Sequence, residues 1–152
     1  HCTAPIFIDP VSTVKAEKLR GLLGRVHTLK PNRIEAELLS GVKITDDESL
    51  RQAAQALLDQ GVQRVFLSLG GDGVLAAQQD EMQRVPICRA EMRNATGAGD
   101  AMMAALVWSF LSGRSLTESA ASGTAAAAIA VESEETINPA MSAEAVEKRL
   151  AH

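Results

Sequence analysis

The 152 residues carry 46% hydrophobic and 22% charged side chains, which is typical of one soluble globular domain with a sizeable core. The net charge of −4, the lack of a basic stripe and an aromatic content of 3% argue against a nucleic-acid-binding surface. The longest apolar stretch, residues 101–111, is too short to cross a bilayer, and no basic segment followed by an apolar core marks a secretion signal.

The start of the chain predicts a strand followed by a helix. The apolar run 5–8, closed by Asp9-Pro10, predicts a buried strand, and a helix capped by Ser12 or Thr13 follows it to about Gly24. The sequence lacks a starting Met and any turn or helix before this strand. We therefore expect it to be the C-terminal part of a longer polypeptide.

A second strand and two helices follow. Residues 26–29 predict the strand, which Lys30-Pro31 ends, and residues 32–39 predict a short helix that a glycine stops. Residues 45–48 have the spacing of a capping box for a helix that runs to about Gln60. The apolar side chains of this helix recur with the helical period and predict one buried face: Leu50, Ala53, Ala54, Leu57 and Leu58.

The middle of the chain predicts further strands. Residues 65–69 form a nearly continuous apolar run, typical of a strand buried on both faces of a parallel sheet. The glycine-rich segment 70–73 breaks this run, and residues 74–77 predict a returning strand. Residues 81–91, interrupted by Pro86, suit one or two short edge strands.

Three helices complete the pattern. The first spans residues 97–112, and a capping box at residues 115–118 opens an alanine-rich helix to about Val131, whose composition indicates close helix packing. Ser142 can cap a final helix with one apolar side made by Ala145, Val146 and Leu150. Strands that alternate with helices predict an α/β fold, a Rossmann-like three-layer sandwich with a mainly parallel sheet and no second domain boundary.

The two cysteines, Cys2 and Cys88, lie far apart in the sequence. Neither belongs to a CxxC pair or has a neighbouring histidine that would suggest a metal site. We therefore expect free core thiols and a reducing, cytoplasmic compartment.

Residues 94–102 (Asn-Ala-Thr-Gly-Ala-Gly-Asp-Ala-Met) are the most informative stretch. The amides of Gly97, Ala98 and Gly99 would be unpaired donors in the first turn of a helix, where a phosphate can bind. Asp100 at the same turn would be held ionised and could accept a proton from a substrate hydroxyl. The alternative is that Asp100 only complements the helix dipole and the glycines only make a tight turn.

Three other segments follow predicted strands, where ligands collect in such sheets. Asp9-Pro10 can be a ligand site or a proline turn with a helix cap. Asn32 and Glu35 fall on one helix face, a spacing that also serves a capping box. The glycines of segment 68–73 permit close approach to a polyphosphate or form a hairpin turn.

The order of these segments resembles that of the ribokinase-like (PfkB) carbohydrate kinases. The motifs are Lys-Pro-Asn-x-x-Glu-Ala at residues 30–36, Ser-Leu-Gly-Gly-x-Gly at 68–73 and Thr-Gly-Ala-Gly-Asp-Ala at 96–101. Segments 7–12, 27–33 and 94–104 look closest to the pseudouridine kinases of that family. The resemblance covers essentially the whole chain but only the C-terminal half of such an enzyme, whose sugar-binding residues and lid strands lie mainly in the other half.

The resemblance implies a phosphotransferase, with pseudouridine, phosphorylated at its 5′ hydroxyl by ATP, as the leading acceptor. It implies that Asp100 is the catalytic base and that the amides of Gly97, Ala98 and Gly99 form the anion hole for the transferring phosphoryl group. Other sugars or nucleosides remain alternatives, as does a non-catalytic nucleotide-binding or regulatory module. A homodimer formed through the lid is a further implication.

The resemblance also assigns the nucleotide and cation sites. It implies that Asn32 and Glu35 organise Mg²⁺, its waters and the ATP phosphates, with binding through water favoured over direct ligation. The other residues that it places at the nucleotide are Ser68, Gly70, Gly73, Thr96, Thr124, Ala125 and Ala128. The last three lie in the alanine-rich helix, for which plain core packing is the alternative.

Two positions depart from the family pattern. Asn94 stands where many relatives have an aspartate that contributes to a monovalent-cation site. Glu134-Glu135-Thr136 stands where they commonly have a glycine. We therefore expect Mg²⁺-dependent phosphoryl transfer with little K⁺ activation.

Overall fold

The computed structural model describes residues 4–135 and 138–151, so that the expectations on Cys2 and Thr136 lie outside the described residues. The chain forms two compact units. The described part of the first unit comprises residues 4–70 and 74–84, and that of the second comprises residues 71–73, 85–135 and 138–151. No linker or shift in composition marks this division in the sequence.

Five strands form one mixed sheet in the order β1-β2-β3-β4-β5. Their bounds are β1 Phe7–Ile8, β2 Thr28–Leu29, β3 Arg64–Ser68, β4 Val74–Gln78 and β5 Glu81–Val85. Strands β1, β2 and β3 pair in parallel, and β4 returns antiparallel to β3 in the register Phe66 to Ala76. The predicted α/β class, the returning strand and the edge strand after it are confirmed, while β3 begins one residue earlier than predicted.

The parallel pairing brings the carboxyl ends of β1, β2 and β3 to one edge of the sheet. A backbone bridge between Asn32 and Ser68 extends this alignment beyond the strands, with the Ser68 N–H donating to the Pro31 carbonyl over 2.9 Å. The segments that follow β1, β2 and β3 therefore start from the same edge, as the sequence predicts.

Three α-helices belong to the first unit: α1 Thr13–Leu19, α2 Arg33–Ser40 and α3 Asp47–Asp59. Ser12 caps α1 through its hydroxyl, which the Lys15 N–H contacts at 3.3 Å. The predicted α1 is too long, because the chain tightens into a 3₁₀ helix over Arg20–Arg25. Short 3₁₀ turns of this kind are common at helix ends.

The capping box of α3 lies one residue later than predicted. Asp46 is the cap, and its carboxylate accepts the Ser49 N–H at 2.8 Å while the Asp46 N–H donates to the Ser49 hydroxyl at 3.0 Å. The Ser49 backbone N–H and the Ser49 hydroxyl both donate to the Asp46 carboxylate and lower the pKa of Asp46. A short Ser side chain closes the box in place of the Glu48 carboxylate that the spacing suggests.

The core of the first unit lies between its helices and the sheet. All five predicted apolar positions of α3 are buried, together with Val65, Phe66 and Leu67 of β3. Residues Phe7–Ile8 of β1 are only half-buried, so the prediction of a buried first strand is wrong. The reason is topological, since β1 is at the edge of the sheet.

The second unit contains three helices: α4 Ala98–Leu111, α5 Leu116–Val131 and α6 Ala143–Leu150. A capping box between Ser115 and Glu118 opens α5, as predicted. Gly123 lets α4 and α5 approach closely, because a Cβ atom there would lie 3.0 Å from Cγ of Met102. Within the part of the chain that the structure describes, no helix has both the length and the apolar content needed to cross a bilayer.

We predict that Gly61→Ala destabilises the first unit by about 2–4 kcal/mol, because it combines a strained backbone with a clash. Gly61 has a φ of +107°, and a Cβ atom there would lie 2.7 Å from the Cα of Gly24. Gly21→Ala is the matched control, since no atom lies within 4 Å of its Cβ position. Urea unfolding of both variants measures the difference, and equal midpoints would contradict the prediction.

Candidate functional site

An ion pair links the ends of β1 and β2. Lys30 Nζ lies 3.0 Å from Asp9 Oδ2, with the two side chains 7% and 24% exposed. The other carboxylate oxygen of Asp9 accepts the Val11 N–H at 3.1 Å, which supports the proline-turn interpretation of this segment. Sequence reasoning missed the Lys30 pairing, although opposite charges that directly follow two adjacent parallel strands are a signal for it.

Val11 follows this turn in a strained conformation. Its φ is +67°, a region that β-branched residues rarely adopt, and its side chain is exposed. Such strain costs about 1–3 kcal/mol and clusters at ligand-binding segments. Val11 lies two residues after Asp9, at the edge of the sheet where the parallel strands end and where ligands are expected.

Asn32 and Glu35 form a reciprocal capping box at the start of α2. The Glu35 N–H donates to Asn32 Oδ1 at 2.9 Å, and the Asn32 N–H donates to Glu35 Oε1 at 3.0 Å. The capping interpretation is therefore confirmed. The box uses only one carboxylate oxygen: Oε2 of Glu35 is buried and has no hydrogen-bond partner among the described residues, and the whole residue is 2% exposed.

A buried carboxylate oxygen without a partner is costly unless a cation or a donor reaches it. Carboxylate oxygens are ligands of Mg²⁺, directly or through its retained waters, so Glu35 fits the expected cation. Among the described residues, no three His, Cys, Asp or Glu side chains gather into a metal-binding group. Mg²⁺ sites with one or two carboxylates commonly take their remaining ligands from water and phosphates.

The segment after β3 turns sharply through glycines. Gly70 has a φ of +58° with no atom within 4 Å of its Cβ position, so an approaching ligand would meet only its backbone. Gly73 has a φ of +89°, and a Cβ atom there would lie 2.2 Å from the Val85 carbonyl oxygen. Turn geometry and packing thus account for Gly73, while Gly70 and Gly71 leave open space.

The segment 94–100, here called the glycine turn, leads into α4. Gly97 is the N-cap with a φ of +88° and provides no side-chain hydrogen bond. The first main-chain bond of the helix runs from the Ala101 N–H to the Gly97 carbonyl at 2.9 Å. The amides before it, those of Gly97, Ala98, Gly99 and Asp100, precede the helical ladder, and the Asp100 side chain is exposed beside them.

Asn94 braces the glycine turn from within. Its Oδ1 accepts the Thr96 N–H at 2.9 Å, and its Nδ2 donates to the Glu134 carbonyl at 3.3 Å. The Arg93 and Asn94 amides both donate to the Val131 carbonyl, at 2.7 and 3.1 Å. Hydrogen bonds therefore attach the start of the glycine turn to the C-terminal end of α5 and the residues that follow it.

The expected adenine-pocket residues of α5 are buried: Thr124, Ala125 and Ala128. The Thr124 hydroxyl donates to the Ala121 carbonyl at 2.9 Å, and the half-buried Cys88 thiol lies 3.7 Å from it. Ala125 belongs to the apolar core of the second unit. This geometry favours the core interpretation, and a role at the adenine stays a prediction.

The structure thus places the sequence-predicted residues in two groups. In the first unit Asn32, Glu35 and Ser68 lie at the edge of the sheet where β2 and β3 end, and Gly70 follows soon after β3. The second unit holds the glycine turn and Asp100.

Comparison with known proteins gives the chain its family. The pfkB family of carbohydrate kinases matches residues 1–143. A pseudouridine kinase of Escherichia coli K12 is 40% identical over 140 residues, which cover 91% of this chain and 44% of that protein. The chain belongs to the pfkB family.

Solved structures with the same fold include other members. A ribokinase from Thermotoga maritima matches with a TM-score of 0.84 and 27% identity, covering 100% of this chain and 50% of that one. The Arabidopsis thaliana ribokinase complexed with ribose and ATP matches with a TM-score of 0.83 and 26% identity, covering 98% of this chain and 48% of that one. The chain thus spans half or less of the length of these three relatives.

We predict that Glu35→Gln leaves the free energy of unfolding unchanged or raises it by up to about 1 kcal/mol, because a neutral amide costs less to bury than a carboxyl group whose Oε2 has no partner among the described residues. Glu118→Gln is the matched control, since Glu118 forms the corresponding capping box on α5 but is exposed, and the Ser115 backbone lowers its pKa.

The control should have a lower free energy of unfolding than the unmodified protein, since the Glu118 carboxylate stabilises the helix start. Chemical denaturation at neutral pH measures both variants. An equal loss in Glu35→Gln would mean that the protein itself stabilises the Glu35 carboxylate.

Proposed function

We propose that this chain is the nucleotide-binding and catalytic C-terminal part of an ATP-dependent kinase that phosphorylates a sugar or nucleoside hydroxyl. The observation that carries the proposal is the start of α4, where Asp100 lies among amides that precede the helical ladder. Such amides bind anions, and membership of a carbohydrate kinase family supplies the reaction class.

In the proposed reaction Asp100 accepts the proton of the acceptor hydroxyl as its oxygen attacks the γ-phosphorus of ATP. The new oxygen–phosphorus bond forms in line with the bond to the β,γ-bridging oxygen, which breaks and leaves with ADP. The amides of Gly97, Ala98 and Gly99 stabilise the charge on the transferring oxygens without reorganisation. Asp100 then returns its proton to solvent.

The first unit supplies the residues for the nucleotide phosphates. Asn32 and Glu35 would hold Mg²⁺ through its waters, with Oε2 of Glu35 as the available acceptor. When bound, Mg²⁺ neutralises charge on the phosphate oxygens. Ser68 and Gly70 would lie along the nucleotide, and the open space at Gly70 would admit it to the backbone. Gly73, which belongs to the second unit, is the further residue proposed for this role.

Pseudouridine, phosphorylated at its 5′ hydroxyl, is the leading acceptor. The E. coli pseudouridine kinase supports it through 40% identity over 91% of the chain. Ribose and other sugars are the next candidates, because ribokinases share the fold. We propose a cytoplasmic enzyme that dimerises through the lid of its N-terminal half.

We predict that Asp100→Asn lowers turnover roughly 10²–10⁴-fold while ATP affinity stays nearly unchanged, as expected for loss of a positioned general base. The measurement is steady-state kinetics on the natural polypeptide that carries these residues, with pseudouridine as acceptor. Glu144→Gln is the matched control, because it removes another exposed first-turn carboxylate from a helix of the same unit.

The control should keep wild-type turnover. Wild-type turnover in Asp100→Asn would refute the assignment of the base. Nucleotide binding without transfer to any acceptor in the unmodified polypeptide would instead favour a non-catalytic module.

We also predict a strict Mg²⁺ requirement with less than about twofold stimulation by K⁺, because the neutral Asn94 lacks the charge that attracts a monovalent cation. Its amide oxygen already accepts the Thr96 N–H, and its nitrogen donates to the Glu134 carbonyl. Rates are measured at constant ionic strength with K⁺ exchanged for tetramethylammonium.

The Asn94→Asp variant sharpens this test. Its carboxylate would face the Glu134 carbonyl without a hydrogen to share, and a cation would relieve the repulsion. We expect K⁺ stimulation to increase in this variant. Large, saturable stimulation of the unmodified polypeptide would mean that neutral oxygens suffice for the ion.

A further inference from the structure

A carboxylate and a guanidinium join two helix ends in the second unit. Glu132 directly follows the last residue of α5, and Arg149 lies near the end of α6. Arg149 Nη1 donates to Glu132 Oε2 at 2.7 Å, and Nη2 donates to Oε1 at 2.5 Å. This bidentate arrangement is the strongest geometry that an ion pair offers.

The same two side chains hold the segment that leads into the glycine turn. Nη2 of Arg149 also donates to the Arg89 carbonyl at 2.8 Å. The backbone of Glu91 lies close enough to the Glu132 carboxylate to lower its pKa. Arg149 therefore binds the backbone at Arg89, and Glu132 lies beside the backbone at Glu91.

The glycine turn begins at Asn94, three residues after Glu91. The Arg93 and Asn94 amides donate to the carbonyl of Val131, the residue before Glu132. The Asn94 side chain donates to the Glu134 carbonyl, two residues after Glu132. The approach to the turn is thus attached to the α5 end on both sides of the ion pair.

The surroundings of the pair strengthen it. The Glu132 and Arg149 side chains are 32% and 25% exposed, so water screens them only in part. The hydrogen bonds from Arg149 lower the pKa of Glu132, and Glu132 in turn raises the pKa of Arg149. Arg93 adds a further positive charge near the carboxylate.

We propose that Glu132 and Arg149 are positioning residues that fix the glycine turn, and with it Asp100 and the amides of Gly97–Gly99, for phosphoryl transfer. The proposal rests on the function proposed above. Neither side chain is assigned a contact with substrate or nucleotide. They act by holding the turn in register, and small displacements of catalytic groups have large effects on rate.

The test compares Glu132→Gln, Arg149→Met and the double variant in the natural polypeptide that carries these residues. We expect each single change to lower kcat about 10-fold to 100-fold, with the KM for ATP altered less than about twofold, since the turn acts on the transition state. Because the two side chains act through one ion pair, the double variant should lower kcat no further than the more severe single variant does.

Glu147→Gln is the matched control. Glu147 lies on the same helix and pairs with Arg114 at 2.7 Å, but this pair involves no residue between 89 and 100. The control should keep wild-type kcat. A loss of kcat in the control equal to that in Glu132→Gln would overturn the proposal, because it would show a general effect of loosening α6.

Hydrogen exchange gives a second readout that does not depend on activity. We expect faster exchange of the amides of residues 93–101 in Glu132→Gln, with unchanged exchange in the centre of α4 and with no such change in Glu147→Gln. Unchanged exchange in the glycine turn, or unchanged kcat in an active enzyme, would overturn the proposal. If the unmodified polypeptide transfers no phosphoryl group, the kinase assignment fails while the exchange result still decides whether the pair holds the turn.

Discussion

Every α-helix begins with backbone amides that its own hydrogen bonds cannot satisfy, and this constraint organises the whole candidate site. Five of the six α-helices that the structure describes solve it with a side-chain cap: Ser12, Asn32, Asp46, Ser115 and Ser142. Helix α4 begins at Gly97, which has no side chain to offer. In the proposed function the amides there bind an anion, and the neighbouring Asp100 carboxylate accepts the proton of the reacting hydroxyl.

The first unit shows the same constraint used differently. Asn32 and Glu35 satisfy the start of α2, but the box employs only one of the two Glu35 oxygens, and burial makes the other expensive. A shorter or neutral residue would avoid that cost. The unpaired Glu35 oxygen and the strained Val11 both follow the ends of neighbouring strands. Both features destabilise the fold, and a bound ligand could offset that cost.

Local rules predicted most of the fold because caps, glycines and apolar periods are written in adjacent residues. Helix α2 stops at Gly41 and α5 opens at Ser115, as the sequence indicates, and α3 buries its predicted face. One error is also local, the cap of α3, where Ser49 takes the place of Glu48, whereas the burial of β1 depends on its place in the sheet. Those segments of the candidate site that carry sequence motifs could be predicted. The hydrogen bonds of Arg149 with Glu132 and Arg89 could not, because these residues lie far apart in the sequence and share no motif or periodic pattern.

These long-range contacts bear on how an uncapped helix start can be kept in one conformation. A glycine turn has many accessible backbone states, so the amides of Gly97 and Gly99 would be poorly oriented if only the turn determined them. Asn94 reduces that freedom from within by binding Thr96, and the Val131 and Glu134 carbonyls reduce it from outside. Because a neutral amide donates directly to Glu134, the link needs no bound ion. The hydrogen bonds of the chain itself thus restrict the conformation of the glycine turn, as the proposed anion site requires.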